Sequence, residues 1–378
     1  MVHQTKTHVA VVLLSTVLFS LHSFAEITHE CTIKKGADEN MCVFRNIVYG
    51  ATTPDVTFKA PSSKVHSVAF ENSSLEHIPE QFLAVFPNLR ALYVPDVNLT
   101  SVVIPMKLER LNAANNRITN VIVHQTRETT TMLELMLDSN NLHDVSNLTQ
   151  LVKLEILNLS GNKDLPKDDT VDLERFRGLD NLRHLLLADM SMLYIENEKQ
   201  VAFPELELLE LSSNNLLTDS LNVQVFAPMK ALQILRLAYN QLTNLDVMQL
   251  TANNPQLKQI YLEGNNFACN HQLKMLEFLK EAGIDTPVTN SNPRCMVGFE
   301  LRNHMCCKWT IPDASEVSTV EVTVTTHVDE LTTSTVTPVT SGPKSNIDKN
   351  HASSVTLANV GSMLVCLSLV AMAKLVSF

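Results

Sequence analysis

Cysteine is the residue type in this sequence with the clearest capacity for covalent chemistry. The chain contains seven cysteines, of which Cys366 lies in an apolar run at the C-terminus. If that run is removed from the mature protein, an even number remains, which in an exported chain indicates disulfide bonds rather than free thiols. The six are Cys31, Cys42, Cys269, Cys295, Cys306 and Cys307.

The spacing of these cysteines limits how they pair. Cys31 and Cys42 can close a short loop before the rest of the chain, so we predict that they bond to each other. A bond between adjacent Cys306 and Cys307 is strained, because disulfides prefer Cα atoms ~5.5–6 Å apart and successive Cα atoms lie ~3.8 Å apart. The other two C-terminal cysteines therefore each bond to one member of the doublet, in either of two arrangements. Zinc binding by these four cysteines is the rival interpretation, which export disfavours.

Residues that could support catalysis do not form a recognised motif. The 13 histidines are scattered, and the nine glycines form no phosphate-binding loop. Neither H-E-x-x-H nor G-x-S-x-G occurs. We interpret Glu134, Asp138 and Glu210 as a solvated acidic patch, and His184 as solvated or in contact with a partner. We therefore expect no enzymatic activity, no cofactor and no metal site, and the net charge of −11 disfavours a nucleic-acid partner.

The sequence contains a recurring pattern, L-x-x-L-x-L-x-x-N-x-L, which predicts the secondary structure that positions these residues. The stretch LEILNLSGNKDL (154–165) carries it, and LELLELSSNNL (206–216) and LQILRLAYNQL (232–242) match it at every position. Successive matches start 19 to 28 residues apart, within or near the period of leucine-rich repeats. The pattern predicts an α/β repeat solenoid: a leucine-rich-repeat horseshoe with about nine repeats and disulfide-bonded N- and C-terminal caps. The repeats start at Val65, Leu89, Leu108, Met132, Leu154, Leu182, Leu206, Leu232 and Leu257.

An asparagine follows the strand of most repeats. In the fifth repeat Leu157 and Leu159 face the predicted core and Asn158 faces outward, because side chains alternate along a strand. Asn162 then enters a turn, where a buried carboxamide can supply both donors and acceptors to the backbone. The same position is held by Asn116, Asn140, Asn162, Asn214, Asn240 and Asn265. Ser73, Val97 and Met190 replace it in the first, second and sixth repeats, and we expect the array to be less regular there.

Both ends of such an array need a cap, because an open solenoid exposes its leucines. After the last repeat, the spacing of Leu273, Leu276, Phe278 and Leu279 predicts a helix that covers the array with these side chains. Gly283 would end that helix.

The outward side chains of the predicted concave sheet form two columns, and repeat arrays use this face for binding. One column is Ala69, Tyr93, Asn112, Met136, Asn158, Leu186, Glu210, Arg236 and Tyr261. The column before it is Ser67, Ala91, Arg110, Glu134, Ile156, His184, Leu208, Ile234 and Gln259. Apolar side chains recur from repeats four to nine with charges among or beside them, including Lys258, which is typical of a protein contact. The predicted partner-binding residues are Met136, Ile156, Leu186, Leu208, Glu210, Ile234, Arg236 and Tyr261.

The two ends of the chain predict export and a membrane anchor. We divide the chain into a signal peptide (1–25), an N-terminal cap (26–62), repeats (63–268), a Cys-rich cap (269–309), a Ser/Thr-rich stalk (310–350) and an anchor region (351–378). A small-residue site at Ala352, Ser353 and Ser354 followed by an apolar tail favours a glycosylphosphatidylinositol (GPI) anchor. A single spanning helix is the alternative. Either anchor places the protein on the extracellular face of the plasma membrane.

Four N-x-S/T triplets are candidate N-glycosylation sites, and they begin at Asn72, Asn98, Asn147 and Asn158. Asn147 lies beyond the strand of the fourth repeat, where we expect exposure to solvent. A glycan on Asn158 would cover the middle of the predicted binding face, so we consider modification there less favoured than at Asn147.

With its signal peptide, N-terminal cysteine pair, repeats and C…C…CC ending, the chain resembles the mosquito leucine-rich-repeat immune proteins over residues 31–309. The cysteine in NNFACNHQL and the Cys306–Cys307 doublet are the more particular marks. The resemblance implies innate immune recognition of an extracellular protein or a microbial surface. Many members carry a C-terminal coiled coil, dimerise and associate with complement-like thioester proteins. This chain has no heptads after Trp309 and looks more like the coil-less or membrane-bound members.

The sequence therefore predicts a non-enzymatic, surface-tethered binding protein of innate immunity. A cell-adhesion or co-receptor protein of development is the alternative, with the same architecture and a protein of a neighbouring cell as its ligand. An extracellular enzyme inhibitor ranks last, because inhibition requires no membrane tether.

Overall fold

The computed structural model describes residues 27–35, 40–51, 56–62, 64–290 and 293–309. The predicted signal peptide, stalk and anchor region, including Ala352, Ser353 and Ser354, lie outside these ranges and stay predictions. All of the described residues belong to one compact unit, Met1–Glu316. No helix in the described ranges combines the length and apolar character needed to cross a bilayer.

The described residues form short strands, three α-helices and four 3₁₀ turns. The helices are α1 (Glu80–Val85), α2 (Val247–Asn253) and α3 (Cys269–Glu281), and the 3₁₀ turns are Ser146–Gln150, Leu173–Phe176, Thr218–Ser220 and Val223–Phe226. The strands are β1 (Ile27–Glu30), β2 (Thr32–Lys35), β3 (Asn40–Arg45), β4 (Val48–Tyr49), β5 (Val56–Lys59), β6 (Ser67–Glu71), β7 (Ser74–Leu75), β8 (Ala91–Tyr93), β9 (Ser101–Ile104), β10 (Arg110–Asn112), β11 (Asn120–Val123), β12 (Glu134–Met136), β13 (Ile156–Asn158), β14 (Thr170–Asp172), β15 (His184–Leu186), β16 (Tyr194–Glu196), β17 (Leu208–Glu210), β18 (Ile234–Arg236), β19 (Gln259–Tyr261), β20 (Glu300–Arg302) and β21 (Met305–Cys307).

One strand from each repeat joins an 11-stranded sheet in the order β19-β18-β17-β15-β13-β12-β10-β8-β6-β3-β2. Neighbouring strands are parallel, except that β2 and β3 form an antiparallel pair at the N-terminal edge. The pairing register passes from β6 to β19 without a slip, so the third residue of each three-residue strand always stands beside the third of the next. The leucine-rich-repeat solenoid predicted from the sequence is therefore confirmed.

The leucine rows lie on one side of this sheet and form the core. Leu154, Leu157 and Leu159 are fully buried, as are Leu209 and its equivalents in the other repeats. Burying a leucine side chain contributes ~1.5–3 kcal/mol, and a single short repeat can bury its rows only against its neighbours. The core consequently runs through the array as one cluster of buried side chains.

In the six repeats that have it, the asparagine after the strand connects two repeats. These stacked asparagines are here called the asparagine ladder, and the position that they hold is called the ladder position. Asn162 donates from Nδ2 to the carbonyls of Leu137 (3.0 Å) and Leu159 (2.8 Å), and its Oδ1 accepts from the amide of Leu142 (3.0 Å). The other predicted asparagines make the same kind of bonds. At the replaced positions the pairing of the sheet is continuous, so the irregularity we expected there does not reach the strands. The sixth repeat stays regular without its own asparagine because Asn214 of the next repeat accepts from the amides of both Met190 and Met192.

The residue before each ladder position adopts a left-handed backbone, which the sequence analysis did not predict. This turn reverses the chain away from the sheet, and small or polar residues occupy it in most repeats, as L-residues with long side chains rarely adopt positive φ. The series is Asn72, Asp96, Asn115, Ser139, Gly161, Asp189, Ser213, Tyr239 and Gly264, with φ from 48° to 74°. Tyr239 is the one bulky residue among them.

The N-terminal cap closes the array with aromatic rings and a charged edge. Cys31 is bonded to Cys42, as predicted. The ring of Phe44 packs within 5.2–6.3 Å of four other phenylalanine rings, at Phe58, Phe70, Phe82 and Phe86. The outermost strand, β2, has all four residues exposed and carries two lysines, which oppose pairing with a further strand.

The C-terminal cap contains the predicted helix, and three of the four predicted side chains pack on the core: Leu279 is buried, and Leu276 and Phe278 are partly buried against it. Helix α3 buries Cys269, Gln272, Met275 and Leu279, whereas Leu273 is 40% exposed. The prediction that Leu273 covers the array is therefore wrong. The polar Gln272 occupies the buried face because its Nε2 donates to the carbonyl of Arg302.

The end of α3 and the disulfides of the cap agree with the sequence. Gly283 has φ +73° and donates to the carbonyl of Lys280, while the amide of Ile284 donates to the carbonyl of Leu279. This pair of bonds is a Schellman motif. Of the two pairings left open by the sequence, the structure has Cys269–Cys307 and Cys295–Cys306.

Candidate binding surface

The side of the 11-stranded sheet opposite the leucine core, here called the open face, carries both predicted columns. Strand pairing places Met136 beside Asn158, Asn158 beside Leu186, and so on to Tyr261. The other column passes in the same way from Ser67 to Gln259. The pairing confirms that these residues form two columns, although Ser67, Ala69, Ala91 and Glu210 within them are buried. Their role in binding stays a prediction.

The predicted apolar residues of the open face form a zigzag, here called the apolar band. Each repeat from the fourth to the ninth contributes one member, and successive members stand in the same column or in diagonal positions, where side chains on neighbouring strands can still reach each other. All six are half-buried. They are Met136, Ile156, Leu186, Leu208, Ile234 and Tyr261. In the same six repeats the other column position carries a polar side chain. These residues are Glu134, Asn158, His184, Glu210, Arg236 and Gln259.

Three side chains at the C-terminal end of the open face hold one another in place. Arg236 donates from an Nη atom to Glu210 Oε2 at 3.2 Å, and its guanidinium carbon lies 4.8 Å from the ring centre of Tyr261. Glu210 also accepts from the amide of Ser212 through Oε1. The expectation of a solvated carboxylate at Glu210 is therefore wrong: the residue is 8% exposed and is fully engaged. This cluster presents a partly exposed cation and an aromatic ring in fixed positions.

Two titratable groups near the band have shifted pKa values. Burial lowers the pKa of His184, the charge of Arg183 lowers it further, and Glu207 opposes both, so the neutral ring is favoured. Burial also raises the pKa of Asp138, helped by the negative charge of Asp96 and opposed by a backbone hydrogen bond. Both shifts favour the neutral form of the side chain.

The remaining charges lie toward the margins of the open face. Arg110 faces Glu134 with 3.9 Å between their charged atoms, and both are partly solvated. Lys258 donates to the side chain of Gln233 at 2.9 Å. Exposed pairs of this kind contribute ~0–1 kcal/mol, so we assign them no structural role.

The four N-x-S/T asparagines occupy different environments. Asn72 and Asn98 are exposed in turns after the first two repeat strands. Asn147 is half-buried and its Nδ2 donates to the carbonyl of Val121, which differs from the open position that we expected. Asn158 is half-buried on the open face. Their modification stays a prediction.

Sequence reasoning missed a cavity between the ninth repeat and the C-terminal cap, which Tyr239, Glu263 and Arg294 help to line. The tyrosine in LAYNQL, at a position held elsewhere by small or polar residues, is the signal that could have revealed it. Among the described residues, no three side chains of the His, Cys, Asp and Glu types are grouped as metal ligands would be.

Comparison with known proteins gave fold likenesses only. No protein-family model matches the chain, and no curated protein matches it. The solved structure of the leucine-rich repeat domain of APL1B is 22% identical, over 66% of this chain and 74% of that one, with a TM-score of 0.49. The LRIM1 leucine-rich repeat domain is 16% identical over 74% and 93%, with a TM-score of 0.48. The mouse RP105/MD-1 complex gives 20% identity over 60% and 42%, with a TM-score of 0.44.

Proposed function

We propose that this protein is a non-enzymatic extracellular binding protein that holds a protein partner on its open face. The observation that carries the proposal is the apolar band, in which six successive repeats each place one half-buried apolar side chain on the same surface. A contiguous apolar surface edged by charge is typical of a protein contact.

The C-terminal end of the band supplies suitable anchors. Tyr261 and Arg236 belong to the residue types that dominate binding energy at protein interfaces. Their mutual contact and the bond from Arg236 to Glu210 restrict both side chains before a partner arrives. Such restriction reduces the entropy lost on binding, so we expect this end to contribute most of the affinity.

We further propose that the binding serves innate immune recognition at the cell surface. This proposal rests on the sequence resemblance carried by the NNFACNHQL stretch and the cysteine doublet. An extracellular protein, a complement-like thioester protein or a protein of a microbial surface are the partners that it suggests. Adhesion or co-reception during development is the second candidate, since it uses the same face. A rise in transcript after bacterial challenge supports the first, and expression confined to developing tissue supports the second.

The site is tested by charge substitution within the band. We expect Leu208→Glu combined with Ile234→Glu to abolish capture of partners by the full chain displayed on cells, because these neighbouring positions lie within the band beside its C-terminal end. The matched control is Ile122→Glu, since Ile122 is 41% exposed on β11, outside the 11-stranded sheet. Equal surface display of all three proteins, measured with an epitope tag, shows that folding is intact. Unchanged capture by the double variant would exclude the open face as the binding site.

A further inference from the structure

The cavity beside the C-terminal cap is separate from the apolar band and has an unusual composition. Its volume is about 200 Å³, and its walls come from the last two repeats and from the loop and hairpin of the cap. Small-molecule sites usually measure ~300–1,000 Å³, so this cavity suits one side chain rather than a whole metabolite. The walls relevant to its chemistry are Tyr239, Glu263, Pro293, Arg294, Met296 and Phe299.

Glu263 brings a buried carboxylate to this cavity with half of its bonding capacity unused. The residue is 3% exposed, and its Oε1 accepts from the amide (3.0 Å) and the hydroxyl (2.8 Å) of Thr289. Its Oε2 is buried and has no hydrogen-bond partner among the described residues. Buried polar atoms are nearly always paired in native proteins, so an unpaired carboxylate oxygen indicates a missing donor.

Tyr239 provides a second, independent observation at the same place. All nine repeats have a positive φ at this turn, but Tyr239, at +55°, is the one bulky residue in the series, and a positive φ is unfavourable for a bulky side chain. The ring packs so closely on Gly264 that a Cβ there would lie 2.3 Å from it. The side chain is nevertheless 47% exposed, so burial does not account for a tyrosine at this position.

We propose that this cavity binds the ammonium group of a lysine side chain presented by a protein partner. The ammonium group donates to Glu263 Oε2, the tyrosine ring offers its electron-rich face, and the apolar walls of Pro293, Met296 and Phe299 enclose the methylene stem. A carboxylate in the wall of a small, mainly apolar cavity matches a cation on an aliphatic stem better than it matches an anion or a neutral ligand.

Arg294 places a positive charge at the wall of the same cavity, which provides a test of the proposed lysine site. It is exposed, and its positive charge at the cavity wall opposes an incoming cation. Removing that charge should therefore strengthen the binding of a lysine side chain. If the cavity instead accepts an anion through Arg294, the same change should weaken binding.

The test uses the full chain purified in detergent and ligand-observed NMR with Nα-acetyl-lysine methylamide. We expect binding to the wild type, none with the Nε-acetylated compound, and a loss of about tenfold or more in affinity for Glu263→Gln, since a charge-assisted bond is removed. The carboxamide oxygen of that variant can still accept from Thr289, so the fold should be kept. Glu198→Gln, on the exposed surface, is the control for the change in charge and should bind like the wild type.

Two further variants make the test decisive. Tyr239→Asn places a residue that tolerates the left-handed turn, so we expect it to keep the thermal stability and lose the affinity. Arg294→Gln should increase the affinity. Equal affinity of Glu263→Gln and wild type, binding of N-acetylglycine in place of the lysine compound, or binding of n-butylammonium without the lysine compound would each overturn the proposal.

Discussion

The asparagine ladder makes Asn214 the most informative single position for stability. This residue is 5% exposed, and its Oδ1 accepts from the amides of Met190 at 2.9 Å and Met192 at 3.3 Å. Its Nδ2 donates to the carbonyls of Leu187 and Leu211, both at 2.9 Å. The sixth repeat has methionine at its own ladder position, so Asn214 serves that repeat as well as the seventh.

Among the described residues, Asn214→Ala leaves three buried backbone groups without a hydrogen-bond partner. These are the amides of Met190 and Met192 and the carbonyl of Leu187, since Leu211 keeps the bond from Asn240. At ~1–3 kcal/mol for each stranded buried group, the free energy of unfolding should fall by at least about 3 kcal/mol.

The same reasoning predicts a smaller effect in the fifth repeat. Asn162→Ala strands the amide of Leu142, whereas the carbonyl of Leu159 keeps the backbone bond from residue 162 and that of Leu137 keeps the bond from Asn140. One stranded group corresponds to a loss of about 1–3 kcal/mol. The two variants should therefore differ by a clear margin.

Urea unfolding followed by circular dichroism measures these differences, provided that the variants keep the m-value of the wild type. The matched control is Asn215→Ala, whose side chain makes only exposed contacts with Ser191 and Gln241 and should change the stability by less than about 1 kcal/mol. If Asn214→Ala costs no more than Asn162→Ala, the assignment of Asn214 to two repeats is incorrect.

Three other outcomes are expected. Because the pKa of His184 is lower in the folded state, the unfolded state binds more protons below about pH 6.5. The wild type should therefore lose stability relative to His184→Gln between pH 7 and pH 5, measured by thermal unfolding. A stability difference that stays constant with pH would contradict this. In the same assay, Gly264→Ala should destabilise the protein more than Gly283→Ala does. Both residues have φ +73°, but only Gly264 contacts the Tyr239 ring. Equal losses of stability would exclude that contact. Phosphatidylinositol-specific phospholipase C should release the protein from intact cells, whereas retention would favour a spanning helix over the GPI anchor.

The parts of the fold that repeat were predictable from the sequence. Leu157 and Asn162 recur in one register, and a strand with a period of two followed by a buried turn allows few other arrangements. The outward columns followed from the same register, which is why the positions of Leu208 and Ile234 agree with the structure.

The features that the sequence did not reveal depend on contacts outside a single repeat. Glu210 is buried because Arg236 on the next strand covers and binds it, which no pattern within a repeat encodes. Leu273 was wrongly placed on the buried face of α3, where Gln272 lies instead and finds a carbonyl partner some 30 residues later in the hairpin of the cap. The pairing of Cys269 depends on the same hairpin, since adjacent cysteines have equivalent spacings.

The uninterrupted pairing from β6 to β19 has an evolutionary consequence. Turn bonds come from ladder asparagines and cohesion comes from leucines, while most open-face side chains take part in neither. Natural selection can therefore exchange these residues one repeat at a time, altering what the molecule recognises without remaking its scaffold. Asn112, Asn158 and Glu210 are exceptions, because each accepts from a turn amide, and replacing Glu210 would also release Arg236 and change two neighbouring positions together.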